Sequence, residues 1–255
     1  MDETRIKRQW AAGRPAMNAW LVTPSPLNAE ITAHQDVCSI TIDMQHGLID
    51  YADVLAMLTA TKGLDLTRIV RVPGLDSAVI NKVLDAGADA IICPLVNTPE
   101  DAADLVAACR YPPEGRRSFG PFRAGLLHGD GYFAGARGHS LCFAMIETTE
   151  GLGNLDAIAA TPGLDGLFVG PADLSIGLGH TPGFDRQEDD VIAAIDRIAK
   201  AAHDNGLGCG IYTTSPEYGR RMAEAGYNLL TVLTDADVLA NGVRNARETL
   251  EDLLT

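Results

Sequence analysis

Apolar residues gather in short runs along this chain, separated by segments whose apolar positions recur every three or four residues. This is the pattern of strands alternating with amphipathic helices. Eight strand-like runs stand out: Met17 to Thr23, Val37 to Asp43, Arg68 to Val72, Ala90 to Leu95, Leu141 to Glu147, Gly166 to Val169, Gly208 to Tyr212 and Asn228 to Leu233. Helical periodicity fills Tyr51 to Lys62, Ser77 to Asp85, Pro99 to Arg110, Val191 to Asn205 and Pro216 to Ala225. Glycine follows helices in Asp85-Ala86-Gly87 and Glu224-Ala225-Gly226, and a hydroxyl residue then proline opens them in Thr98-Pro99-Glu100 and Ser215-Pro216-Glu217. Alternation of this kind implies a parallel sheet, and about eight repeats in 255 residues is the size of a barrel. The expected fold is therefore α/β, a (β/α)8 TIM barrel, as one domain over residues 1–255. Two segments break the repeat: Tyr111 to His139, rich in Gly, Pro and Arg, and Ile176 to Asp190. Long connections of this kind are expected to serve the site.

Composition narrows the function classes. The chain is 46% hydrophobic and 21% charged, enough for a large core. A formal net charge of −14, with no stretch of Lys and Arg forming a basic face, argues against nucleic acid and anionic membranes as partners. The amino-terminal sequence MDETRIKRQWAAGRPAM is charged rather than apolar, and no run of ~18 apolar residues occurs, so a cytoplasmic enzyme of small metabolites is expected. The five cysteines are odd in number, far apart and mostly inside apolar runs, which reads as reduced core residues.

Active sites of such barrels sit where strands end, so the informative residues are polar ones that terminate apolar runs. The second run ends in TIDMQHG, bringing Asp43, Gln45 and His46 to the rim; His46 is a candidate base or a hydrogen-bonded strand-end histidine. The third ends in IVRVP, where Arg71 needs an anionic or carbonyl partner, from a substrate or an internal ion pair. The fifth and sixth end in CFAMIET and LFVGPADLS, placing Glu147 and Asp173 on adjacent strands. Two such carboxylates can share a hard divalent cation, although each alone also reads as a helix cap or salt-bridge partner. Gly170-Pro171-Ala172-Asp173 opens a helix whose free N–H groups suit a carboxylate. Arg116, Arg117 and Arg123 could bind an anionic group on a substrate or hold their loop by salt bridges.

Taken together, DMQHG, VRVP, YPPEGRRSFGP, IETTEG and FVGPADLS, in this order, resemble the HpcH/HpaI family of class II pyruvate aldolases from roughly residue 15 to roughly residue 235. The resemblance implies Glu147 and Asp173 as ligands of Mg2+, Mn2+ or Co2+, Arg71 as the group polarising the 2-oxo oxygen, and His46 as the base acting through water. It implies Asp85 as the carboxylate paired with the histidine across a subunit boundary, and the amides of Ala172 and Asp173 as holders of the substrate carboxylate. Arg71 and Arg123 are further substrate-binding candidates. The implied assembly is a homo-hexamer, a trimer of dimers, exchanging a C-terminal helix from Asp237 to Leu254. Two positions depart from well-known members: Gln45 stands for Glu, and Met145 for Gln.

The expected reaction is aldol addition or cleavage of 2-oxo-4-hydroxy acids, through the enolate of pyruvate or hydroxypyruvate and an aldehyde. Lys62, Lys82 and Lys200 fall in helical segments, so an imine mechanism is not expected. Two alternatives are a CoA-ester lyase of the malyl or citramalyl type and a non-catalytic barrel that binds a 2-oxo acid.

Overall fold

The computed structural model describes residues 3–254, apart from the side chains of Arg137 and Leu254. Its eight strands are β1 (Ala16–Leu21), β2 (Ser39–Asp43), β3 (Thr67–Arg71), β4 (Ala90–Cys93), β5 (Leu141–Ile146), β6 (Gly166–Val169), β7 (Gly208–Tyr212) and β8 (Leu229–Thr234). Each pairs in parallel with its neighbour in sequence, and β1 pairs with β8, closing the (β/α)8 barrel that the pattern implied. The helices are α1 (Arg5–Ala11), α2 (Pro26–Ala33), α3 (Tyr51–Ala60), α4 (Ser77–Asp85), α5 (Pro99–Cys109), α6 (Phe122–His128), α7 (Tyr132–His139), α8 (Thr149–Gly153), α9 (Leu155–Ala159), α10 (Pro171–Gly177), α11 (Asp189–Asp204), α12 (Pro216–Glu224), α13 (Asp235–Thr249) and α14 (Glu251–Leu254). Capping boxes built by Asp50 and Asp53, and by Thr98 and Asp101, start α3 and α5.

Alternation along the strands sorts the core into two layers. Ile40, Ile42, Val70, Ile91 and Val169 face outward against the helices. Trp20, Ile69, Ile92, Phe143, Met145 and Phe168 fill the interior. Lower in the barrel the filling is polar: the Asn18 amide donates to Thr231 at 2.9 Å and accepts from Ser39 at 2.8 Å, so buried polar atoms find partners. Trp10, on α1, meets Phe143 edge-on at 6.2 Å beneath them. Space for these rings comes from glycine. A Cβ on Gly166 would lie 2.5 Å from the Phe143 ring, and one on Gly208 would lie 2.2 Å from Trp10.

The Tyr111 to His139 segment departs from expectation in its position. It carries α6 and α7 and connects α5 to β5. Helices return from the C-terminal rim to the base and strands set out from the base, so this excursion lies at the base, opposite the strand ends. Tyr111, Ala124, Tyr132 and Ala136 give it a small core of its own. All five cysteines are free and buried, as expected, and burial pushes the Cys38 thiol up to about 11 and Cys93 up to about 12. Among the described residues no helix is long and apolar enough to cross a membrane.

Gly166→Ala should therefore lower stability by about 1–3 kcal/mol through overpacking. Gly153→Ala, whose Cβ meets nothing within 4 Å, should leave stability close to the parent's. Urea unfolding of both variants checks the contrast.

Candidate active site

A cavity of ≈ 190 Å³ opens at the C-terminal rim. His46, Arg71, Glu147, Ala172 and Asp173 all line it, from the ends of β2, β3 and β5 and from the start of α10 after β6. Asp43, Trp20, Met145, Phe184 and Tyr212 complete its wall.

Asp43 organises one side. Parallel pairing sets it beside Arg71, and both side chains point inward. Asp43 Oδ1 accepts from Arg71 Nε at 2.7 Å, its Oδ2 accepts from Arg71 Nη2, and the Trp20 indole N–H donates to the same Oδ2 at 3.1 Å. The guanidinium also lies over the Trp20 ring, 4.8 Å from its centroid. Burial alone would push the Asp43 carboxyl up. The Arg71 hydrogen bonds and charge, with smaller help from Trp20 and the Gln45 amide, hold it below the ordinary range instead. The pair is therefore ionised, with Asp43 1% and Arg71 12% exposed. Asp43 also accepts from the Gln45 and His46 amides, at 3.0 and 3.4 Å, which shapes the turn carrying the exposed His46 imidazole.

Glu147 organises the other side. Its Oε1 accepts from the Leu95 amide at 2.9 Å, and Leu95 turns that amide inward by adopting the left-handed conformation, φ 55°. The Glu147 carboxyl is pushed up to about 7, chiefly by burial and also by the like charge of Asp173, with Arg71 acting the other way. Gly170 lets the sixth strand pass close: a Cβ there would fall 2.3 Å from Glu147 Oε2. This accounts for the glycine that opens Gly-Pro-Ala-Asp. Pro171 occupies the first turn of α10, and no side chain caps that helix, so the Ala172 and Asp173 amides face the cavity without a capping side chain. A buried carboxyl beside a second carboxylate, both short of positive partners, is a donor set that fits a hard divalent cation.

Asp85 and Arg123 are not brought to this cavity within the chain. Asp85 ends α4 at the base, where its Oδ1 accepts from Arg117 Nη2 at 2.7 Å. Arg123 donates there to the carbonyls of Ala86 and Leu58. Arg117 is wholly buried, and Arg116 pairs with Asp104 on the surface, so these arginines hold the loop together. Asp43 received no role from the sequence, nor did Trp20, Phe184 or Tyr212. Tyr212 meets Trp20 edge-on at 5.3 Å and Phe184 at 4.9 Å. The sequence signal for Asp43, Trp20 and Tyr212 was position at or near strand ends, and Phe184 lies in the long Ile176 to Asp190 connection that was expected to serve the site.

Three comparisons bear on this site. The family model for HpcH/HpaI aldolase/citrate lyase matches residues 17–241. A hydroxypyruvate/pyruvate aldolase of Rhizorhabdus wittichii is 40% identical over 240 residues, covering 94% of this chain and 96% of the relative. A 5-keto-4-deoxy-D-glucarate aldolase of Klebsiella pneumoniae is 33% identical over 250 residues, 97% of this chain and 95% of that one. The crystal structure of an HpcH/HpaI aldolase/citrate lyase family protein from Burkholderia cenocepacia superposes with a TM-score of 0.88 at 32% identity, covering 98% of each chain.

The raised Glu147 carboxyl gives a stability signature in cation-free protein. Between about 4.5 and about 7 the folded chain keeps a proton that the unfolded chain releases, so this group's contribution falls as pH rises through that window. Thermal midpoints of the parent, compared with Glu147→Gln across it, should show a loss confined to the parent. A constant difference between the two would contradict the assignment.

Proposed function

The chain belongs to the HpcH/HpaI aldolase/citrate lyase family, and from that premise we propose that it is a class II aldolase acting on 2-oxo-4-hydroxy acids. Its donor is pyruvate or hydroxypyruvate, in keeping with the names of its relatives, and its acceptor is a small aldehyde. The observation that carries this reading is the meeting of an ion-paired guanidinium, an exposed imidazole and a carboxyl pair short of positive partners in one cavity.

Glu147 and Asp173 would hold Mg2+, Mn2+ or Co2+, oxygen donors without cysteine or histidine being suited to ions of this kind. When bound, the cation supplies Lewis-acid polarisation of the substrate's 2-oxo and carboxylate oxygens. Arg71 commits Nε and Nη2 to Asp43, so its Nη1 edge is the one turned to the 2-oxo oxygen as negative charge develops there. The Ala172 and Asp173 amides take the substrate carboxylate. His46 acts through water as base, removing the 4-hydroxyl proton in cleavage and returning it in addition. Met145, 1% exposed, gives the floor an apolar surface where a glutamine would offer hydrogen bonds.

We further infer a cytoplasmic, single-domain protein that assembles as a homo-hexamer, a trimer of dimers. The apolar residues Val238, Leu239 and Val243 of α13 are exposed in the lone chain, as an exchanged helix would leave them. Asp85 lies at the base of its own barrel, so its pairing with His46 takes place between copies. Arg123 would meet an anionic acceptor only across that same boundary.

Exchange of the pyruvate C3 protons in deuterated water tests the reading. Exchange should require the divalent cation and cease with EDTA; full exchange or aldol turnover in chelated protein would contradict it. Arg71→Ala should depress exchange and aldol cleavage together, by on the order of 10²-fold, as loss of an oxyanion donor does. His46→Ala should cut cleavage while leaving part of the exchange, because its proton belongs to the hydroxyl step. Equal cleavage by His46→Ala and the parent would remove His46 from the mechanism.

A further inference from the structure

At the opposite end of the barrel from the cavity, three side chains that the aldolase chemistry does not use converge. Asp89 immediately precedes β4, His139 ends α7 just before β5, and His128 ends α6. The ligand-capable atoms of all three lie within 4.8 Å of one another. Among the described residues this is the one group of three or more His, Cys, Asp or Glu side chains so placed.

The carboxylate is held rigidly and asymmetrically. Asp89 Oδ2 accepts from the Arg68 amide at 2.8 Å and lies 3.4 Å from Arg68 Nη1. Oδ1 is aimed the other way, 2.7 Å from His139 Nε2. The backbone of Asp89 is fixed on both sides, its amide on the Arg68 carbonyl and its carbonyl on the Leu141 amide. The His128 ring stands 4.9 Å from the His139 ring, at 61° to it, with its other neighbour Tyr132 stacked at 5.7 Å. Asp89 and His139 are 5% and 8% exposed, and His128 is half-buried, leaving one side open for entry.

Arg68 lies beside Asp89 with its guanidinium turned mainly to the carbonyls of Thr61, Leu64 and Leu66, and the Lys7 ammonium donates to the Gly138 carbonyl next to His139. Arg68 thus acts on Asp89 as an orienting partner of the kind that steadies metal-binding carboxylates. Two imidazoles and one carboxylate form a borderline donor set that prefers Zn2+, Co2+ or Ni2+ to Mg2+, unlike the oxygen donors at the rim. Three protein ligands would leave a fourth position for water.

We propose that Asp89, His128 and His139 form a second cation site, of the Zn2+ class, that clamps the α6–α7 excursion to the base of the barrel. Its occupant would join three chain segments that already meet there through the Asp89–His139 hydrogen bond and the His128–His139 ring contact. The site is separate from the aldolase centre and does not depend on the reading of that centre.

The test uses tag-free, full-length protein carrying Glu147→Ala and Asp173→Ala, so that the rim carboxylates are gone. After dialysis against chelator it is titrated with Co2+ alone, following visible d–d absorption and bound metal per chain. One equivalent per chain, with absorption of mixed nitrogen and oxygen ligation, displacement by Zn2+ and a higher thermal midpoint, is the expected result. Adding His128→Gln, a half-buried position where folding should survive, should weaken Co2+ binding by at least ~10-fold, as loss of one ligand requires. His139→Ala gives the same readout if it folds. Absence of a Co2+ equivalent, or undiminished binding by the folded His128→Gln protein, would overturn the proposal.

Discussion

The buried ion pair between Asp43 and Arg71 is the constraint on which the rim of this barrel depends. Two neighbouring parallel strands end in register, and the pairing of Asp43 with Arg71 across β2 and β3 makes the meeting of their side chains a consequence of the sheet. Once met, the pair is hard to dispense with. Removing one partner leaves an uncompensated charge at a site 1–12% exposed, a loss typically of about 3–5 kcal/mol. Trp20 reinforces it twice, by its N–H to the carboxylate and its ring beneath the guanidinium. The same carboxylate gathers the amides of the turn that displays His46, so one acid fixes the positions of two groups of different function.

Across the cavity the electrostatics run the opposite way. Arg71 has its countercharge, whereas Glu147 and Asp173 repel one another and Glu147 keeps its proton to about 7. The fold sustains this by supplying one amide, from Leu95 in a conformation costly for a leucine, and by removing every atom beyond Cα at residue 170. A guanidinium with its countercharge on one side and a carboxyl pair short of positive charge on the other form a preorganised field. Under the proposed function, such a field would suit an oxygen that becomes negative between Arg71 and a divalent ion held by Glu147 and Asp173.

Much of the barrel was legible because parallel strands buried on both faces read as apolar runs, and long helices show their period. The bounds of β6, β7 and α4 agree with the pattern to the residue. Helices α1, α2 and α6 to α9 escaped because none exceeds eight residues, too few for a period to repeat, whereas the start of α10 was marked by its Gly-Pro opening. The strand ends named His46, Arg71, Glu147 and Asp173, since a polar residue closing an apolar run is a local signal. Asp43 was seen but given no role, because its partners come from β1 and β3 and such contacts leave no local trace. Gly170 is explained only by Glu147 on the neighbouring strand. The Tyr111 to His139 segment was recognised as irregular but expected to serve the site. Its position after α5 and before β5 places it at the base, where Arg123 holds helix ends.

The central claim is that Asp43 serves catalysis through Arg71, by holding the guanidinium where the oxyanion forms. A double-mutant cycle on the pyruvate C3 proton exchange rate tests this most directly, using Asp43→Asn, Arg71→Ala and the folded double variant. The account predicts that Asp43→Asn slows exchange in the parent but adds nothing once Arg71 is gone. Losses that multiply in the double variant would show that Asp43 acts independently, and would contradict it.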